Sequence, residues 1–131
     1  MPAAYRRTTV PAHRSMEQIE KILAKHDVDA FRWTSIAWNL GLEFRHKGIG
    51  YCVKLTYDEK EKAQYLRALF FWIKATLEAV EFGLVSFERA FMPALITGPD
   101  RTLGDDVLKR LVEGGLGQGV PLLPEGRDTN P

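Results

Sequence analysis

The chain has 131 residues, of which 45% are hydrophobic and 27% charged, and its formal net charge is +1 at pH 7. These values are typical of one globular domain and exclude a disordered or strongly basic chain. The one cysteine, Cys52, cannot form a disulfide within the chain, which suits a reducing cytoplasm. The N-terminal stretch carries arginines but no apolar run, so we do not expect a signal peptide.

The chain begins with a segment that is poor in apolar residues. Prolines at positions 2 and 11 and the low hydrophobicity predict a flexible arm over residues 1–14. Ser15 followed three residues later by Gln18 has the spacing of a capping box, which predicts a helix over about 16–26. We expect a single domain over residues 15–124 and a loose tail over 125–131.

The hydrophobic period then changes to two between residues 29 and 57. The pattern predicts three strands in an antiparallel meander, with a break at 39–41 and a tight turn at Lys47-Gly48. One face is apolar and needs a cover, and it carries Phe31, Trp33, Leu42, Phe44, His46, Ile49, Tyr51, Val53, Leu55 and Tyr57. The other face is polar and basic.

A long helix over 59–82 follows the strands. Asp58 and Glu61 have capping-box spacing, and Gly83 stands where a helix-ending glycine belongs. Polar residues recur every seven positions and predict a narrow solvent-facing stripe of Lys60, Arg67, Lys74 and Glu81. Because charges interrupt the apolar run FFWI at helical spacing, the helix is a core element and not a membrane span.

Two shorter helices complete the domain. Ser86 is expected to cap the first, and Thr102 with Asp105 the second, over about 103–113. The second helix is expected to bury Leu103, Val107, Leu108 and Leu111, and Leu122 and Leu123 are expected to dock on the domain. The fold class is therefore α+β, with an N-terminal helix, a three-stranded antiparallel sheet, a long covering helix and two shorter C-terminal helices.

No catalytic, metal or cofactor motif is present in the sequence. None of His13, His26 and His46 has a second ligand at helical spacing, and Cys52 has neither a CxxC partner nor an identifiable base. We therefore expect no enzyme activity, no cofactor, no metal and no small-molecule substrate.

The charges are distributed unevenly along the chain. Residues 1–57 hold nine Lys and Arg against five Asp and Glu, whereas residues 58–131 hold nine against twelve. On the polar sheet face only Glu43 opposes the cations, the arm arginines can join them, and Trp38 near the first hairpin can stack on a base. The predicted nucleic-acid-binding residues are Arg6, Arg7, Arg32, Trp38, Arg45, Lys47 and Lys54.

The segments VPAHRSMEQIEKIL, RALFFWIKATLEAVEFGLVSFERAF, PDRTLGD and VPLLP follow one another in an order that resembles a group of small, uncharacterised proteins of phages and phage-derived mobile elements. The resemblance implies a mobile-element origin and a host-cell cytoplasm, but no particular chemistry. At the level of fold, three strands followed by a long helix also resemble the core of single-strand annealing proteins of phage recombination.

Two functions remain open at this stage. The first is a DNA-binding accessory protein of phage recombination or replication, which binds single-stranded DNA through the basic sheet face and the arm. The second is a protein-binding module, such as a phage inhibitor of a host defence or replication protein, or a homodimer. Its motivation is a surplus of large apolar residues, especially Phe71, Trp72, Phe87 and Phe91.

Overall fold

The structure, a computed structural model, describes residues 4–117 and residue 119. Three strands, β1 (Val28–Ile36), β2 (Asn39–His46) and β3 (Ile49–Thr56), form one antiparallel sheet in the order β1-β2-β3. Lys47 and Gly48 join β2 to β3 with φ angles of 51° and 79°, the left-handed pair that a two-residue hairpin turn requires. The predicted meander and its second turn are confirmed.

Helices cover the apolar face of this sheet. α1 (Ala12–Ala24) precedes the sheet, and α2 (Lys62–Glu81) follows it after a 3-10 turn at Glu59–Glu61. The alternating strand residues and the helical stripes meet in one core, which contains Ile19, Leu23, Leu42, Phe44, Tyr51, Leu66, Leu69, Ile73, Leu77, Phe87 and Phe91. Gly83 ends α2 with φ 75°, as expected from the sequence.

The first helix begins earlier than its capping signal predicts. α1 starts at Ala12 with Pro11 at the N-cap, so residues 12–14, which we assigned to the arm, are helical. Ser15 is not a cap; it is fully buried within the helix. Proline next to a helix start fits the helix geometry and competes with the weaker serine signal.

The C-terminal part consists of short elements. α3 (Phe87–Ala90) is followed by a 3-10 turn at Met92–Ala94, the hairpin strands β4 (Ile96–Gly98) and β5 (Arg101–Thr102), and α4 (Leu103–Val112). Ser86 caps α3, and Thr102 and Asp105 form a complete capping box on α4, which confirms both predicted caps. The prediction that α4 buries its apolar face is wrong, because none of its residues is buried.

These elements make an α+β fold, as the sequence predicts. Within the described residues, no helix is both long enough and apolar enough to cross a membrane. Leu122, Leu123 and the predicted tail at 125–131 lie outside the residues that the structure describes.

Candidate nucleic-acid interface

The exposed sheet face carries the predicted cations, but carboxylates neutralise both of its arginines. Arg32 donates from Nη2 to both carboxylate oxygens of Glu43, at 2.8 and 3.0 Å, across the β1-β2 pair. Arg45 donates from Nε to Oδ1 of Asp29 at 3.0 Å. This pairing raises the pKa of Arg45 and lowers the pKa of Asp29, chiefly through the hydrogen bond between them.

Asp29 reaches Arg45 because β1 contains an irregularity. The register shifts between Val28, opposite His46, and Ala30, opposite Arg45, which leaves Asp29 as an extra residue. Strict alternation would place Asp29 on the same side as Phe31; a bulge re-aims such a side chain. The expectation that only Glu43 opposes the cations of this face is therefore wrong.

The remaining predicted residues of the sheet, Lys47, Lys54 and Trp38, are exposed, and their surroundings differ. Lys54 donates to the main-chain oxygen of Asp100, in the β4-β5 turn, at 3.0 Å. Lys47 is exposed in the β2-β3 turn. Trp38 is half exposed, but it lines a concave surface together with two carboxylate residues, Asp58 and Glu61. Phosphate is disfavoured beside those carboxylates.

The arm lies on the helical layer, away from this sheet face. Tyr5 stacks on Phe71 of α2, with ring centroids 5.2 Å apart and an interplanar angle of 11°. Gln64 of α2 donates to the main-chain oxygen of Ala4 at 2.8 Å. Arg6 and Arg7 are therefore separated from the sheet cations. They line an open cavity of about 870 Å³, which we call the arm cavity. Its other lining residues are Tyr5, Thr8, Val10, Gln18, Arg67 and Phe71.

Arg67 is the residue of this cavity that the sequence interpretation missed. It was placed in the solvent stripe of the long helix, but it is only 8% exposed, so that prediction is wrong. The heptad spacing is correct for α2, yet α1 and the arm cover this part of the stripe.

The guanidinium of Arg67 has neutral partners. Its Nη1 donates to Oε1 of Gln18 at 2.8 Å and to Oγ of Ser15 at 3.4 Å. Its Nε and Nη2 bind no described residue, and neither atom is fully enclosed. Two donor-bearing nitrogens of a buried cation are therefore available to a ligand in the arm cavity.

Aromatic rings hold this guanidinium in place. Its Cζ lies 4.2 Å from the ring centre of Phe70 and 4.9 Å from that of Phe71. The ring faces attract the cation, so stacking offsets part of the cost of burying it. These contacts occupy part of the guanidinium, while its Nε and Nη2 bind no described residue.

The surroundings of the arm cavity are cationic. Arg14 precedes Gln18 by one helical turn on α1, and Nζ of Lys74 lies 6.0 Å from the ring centre of Phe71. None of Arg6, Arg7, Arg14, Arg67 and Lys74 forms an ion pair with any residue from 4 to 117. The arm cavity therefore gathers several cations without carboxylate partners among the described residues, whereas both arginines of the sheet face are paired.

Cys52 and His46, the two sheet residues with reactive side chains, are partly or fully buried. Cys52 is half-buried, and burial raises the pKa of its thiol, which disfavours the reactive thiolate. His46 is buried and stacks on Phe87 with ring centroids 3.8 Å apart. In the described part of the chain, no three His, Cys, Asp or Glu side chains converge as metal ligands.

The apolar residues that suggested a protein-binding module divide into two groups. Phe87 and Phe91 belong to the core, where they pack edge-on against Phe44. Phe71 and Trp72 are partly exposed, at 38% and 50%. The surplus of large side chains at these four positions is therefore smaller than the sequence indicates.

Comparison with known proteins adds no assignment: no family model, curated protein or solved structure matches the chain.

Proposed function

We propose that the protein is a non-catalytic binder of single-stranded DNA and that the arm cavity holds the strand. The observation that carries this proposal is Arg67, a buried guanidinium that faces an open cavity with no carboxylate beside it among the described residues. Burying a charge without a counter-ion is costly, and a phosphate from a ligand supplies that counter-ion.

The rest of the cavity suits a strand better than an isolated anion. Arg6 and Arg7 are exposed at its wall, where they can contact further phosphates without reading sequence. Tyr5 is 39% exposed while one of its faces rests on Phe71, which leaves its free side for a base to stack on. A duplex keeps its bases stacked inside, so we expect a preference for single strands.

The resemblance to small phage and mobile-element proteins supports a biological setting for this activity. Recombination and replication both expose single-stranded DNA in the cytoplasm of the host cell, and we propose an accessory role there. The protein-binding module, for example an inhibitor of a host defence protein, is the alternative if no nucleic acid binds.

The proposal can be tested by fluorescence anisotropy with labelled oligothymidine over a range of salt concentrations. The double variant Arg6→Gln/Arg7→Gln removes two phosphate contacts, so the slope of log K against log salt should fall by roughly 1.4, or about 0.7 per contact. The matched control is Arg32→Gln/Arg45→Gln, which removes the same charge from the sheet face and should leave binding nearly unchanged.

Absence of binding at low salt would refute the proposal. So would equal losses in the two double variants, because that result would indicate a general charge effect in place of a site. A loss confined to the sheet variant would return the interface to the sheet face.

A further inference from the structure

The depth of Arg67 in the arm cavity bears on which phosphate of a strand it can bind. Arg67 lines the cavity but is only 8% exposed, whereas Arg6 and Arg7 at the same cavity are exposed. An internal phosphate carries a nucleoside on both sides, and both nucleosides must lead away from a recessed position. A phosphate at the end of a strand carries only one, so it reaches a recessed guanidinium with less obstruction.

The unoccupied nitrogens of Arg67 suit two oxygens of one phosphate. In an arginine side chain, one N–H of Nη2 runs parallel to the N–H of Nε, whereas Nη1 lies on the side of Cδ. Nη1 is the nitrogen that binds Gln18 and Ser15, at 2.8 and 3.4 Å. The parallel donors of Nε and Nη2 therefore remain, and such a pair binds phosphate through two hydrogen bonds.

Neutral donors lie beside this pair. Oε1 of Gln18 accepts from Arg67, and the amide nitrogen of the same side chain binds no residue that the structure describes. Oγ1 of Thr8 accepts the main-chain N–H of Val10 at 3.2 Å, which leaves the hydroxyl hydrogen to donate. No carboxylate lines the cavity among the described residues. The lining therefore offers donors to an anion with several acceptor oxygens.

A terminal phosphate matches this lining better than an internal one. A phosphate monoester has three free oxygens and carries a charge of about −1.5 to −2 at pH 7, whereas an internal phosphate has two free oxygens and a single charge. Around the cavity, Arg6, Arg7, Arg14 and Lys74 form no ion pair with residues 4–117. These cations add to the attraction for the more highly charged group.

We propose that the arm cavity binds the end of a single strand, with the terminal phosphate on Nε and Nη2 of Arg67 and the following phosphates on Arg6 and Arg7. This preference rests on the proposed function, because it presupposes that the cavity binds a strand. A strand without a terminal phosphate offers Arg67 only an internal one and therefore binds more weakly. A phosphate monoester at either end of the strand has the required chemistry.

The test is competition for labelled oligothymidine, measured by fluorescence anisotropy with the full chain. The unlabelled competitors are oligothymidines with a 5′-phosphate, with a 3′-phosphate, or with hydroxyls at both ends. The unphosphorylated competitor is two nucleotides longer, so that its total charge is about that of the phosphorylated strands. At least one phosphorylated strand should compete about tenfold better, as expected from one additional charge-assisted hydrogen bond.

Two variants locate the terminal phosphate. Arg67→Lys keeps the charge but removes the parallel donors, so the preference for a phosphorylated strand should fall to about two-fold or less. The matched control is Arg6→Gln/Arg7→Gln, which should weaken all strands alike and keep the preference, because these arginines contact the following phosphates. If Arg67→Lys does not fold, the competition with the wild-type chain still decides the preference.

Equal competition by the phosphorylated strands and the longer unphosphorylated strand would overturn the preference and leave single-strand binding intact. A preference that Arg67→Lys leaves unchanged would place the terminal phosphate elsewhere and would also overturn the proposal. Inorganic phosphate is a further competitor: if it displaces the labelled strand as well as a phosphorylated strand does, the cavity binds free phosphate and not a strand end. If no strand binds at low salt, the proposed function fails and the preference fails with it.

Discussion

The exposed sheet face and the arm cavity each contain several cations, yet they differ in what surrounds those cations. On the sheet, Arg32 and Arg45 each hold a carboxylate, and both pairs are open to solvent. In the arm cavity, Arg67 is buried against neutral partners, and Arg6 and Arg7 lack ion pairs with the described residues. The number of basic residues does not distinguish the two surfaces, whereas the charge of the residues that contact those cations does.

The physical reason is that pairing changes what a cation offers to a ligand. An exposed pair contributes little to stability, but a phosphate that approaches Arg45 must compete with Asp29 and is repelled by it. Arg67 already bears the cost of desolvation, and among the described residues of the arm cavity no carboxylate would compete with a phosphate for it. We therefore expect equal substitutions on the two surfaces to have unequal effects.

The largest expected difference is between Arg67→Met and Arg45→Met. Arg67→Met removes charge-assisted hydrogen bonds to phosphate, each worth about 1.5–3 kcal/mol, so affinity for oligothymidine should fall by about 10- to 100-fold. Stability in urea should change by less than about 1 kcal/mol, because methionine keeps the contact with Phe70 and removes an uncompensated buried charge.

The control, Arg45→Met, should leave affinity within about two-fold, because the Arg45 charge is already paired with Asp29. The comparison fails if Arg67→Met strongly destabilises the fold while affinity is retained. Arg67 would then be a structural cation whose role ends at Ser15 and Gln18.

A smaller effect on DNA affinity, in the opposite direction, is expected when the carboxylates that pair with the sheet arginines are removed. Asp29→Asn with Glu43→Gln leaves Arg32 and Arg45 unpaired, so DNA affinity should rise a few-fold and the salt slope should steepen by about 0.7 for each new phosphate contact. The matched control is Glu78→Gln with Glu113→Gln, which changes the net charge equally at other exposed positions. Equal gains in the two variants would show that total charge, and not local pairing, governs binding.

The sequence predicts the sheet, its second turn, the long helix and the caps at Ser86 and Thr102, because each depends on residues close together in the chain. The pairing of Arg45 with Asp29 depends on an irregularity at one residue of β1, which no alternation pattern reveals. The burial of Arg67 depends on α1 and the arm, which cover a flank that a heptad pattern assigns to solvent. Both differences arise from contacts between segments that are distant in the sequence. Together they move the candidate site from the exposed sheet face to the arm cavity.

For α4 the error has the opposite direction, because residues that the sequence predicts to be buried are exposed. Its apolar stripe predicts burial, and periodicity is correct about the stripe but carries no information on what covers it. The first turn is fixed by Thr102 and by the contact of Gly104 with Pro93, whereas Leu108 and Val112 in the second half are 60% and 81% exposed. An apolar stripe that the described residues leave exposed has the same sequence pattern as a buried one, so only the structure distinguishes the two.

The smallest expected effect concerns the imidazole of His46, which is buried on the covered face of the same sheet. Burial lowers the pKa of His46, with the nearby carboxylate of Glu88 acting in the opposite direction. The unfolded chain takes up a proton near pH 6.5, before the folded chain does, so stability should be complete above that pH and fall as the pH decreases towards the lower folded pKa.

His46→Phe keeps a ring stacked on Phe87 and removes the proton, so the urea midpoint should become less dependent on pH between about 6.5 and 5. His13→Gln, at an exposed position of α1, is the control and should keep the wild-type dependence. If the two variants titrate alike, His46 is not held neutral by the core. Burial of an ionisable group would then distinguish the two surfaces only at Arg67, which is permanently charged and has no carboxylate partner among the described residues.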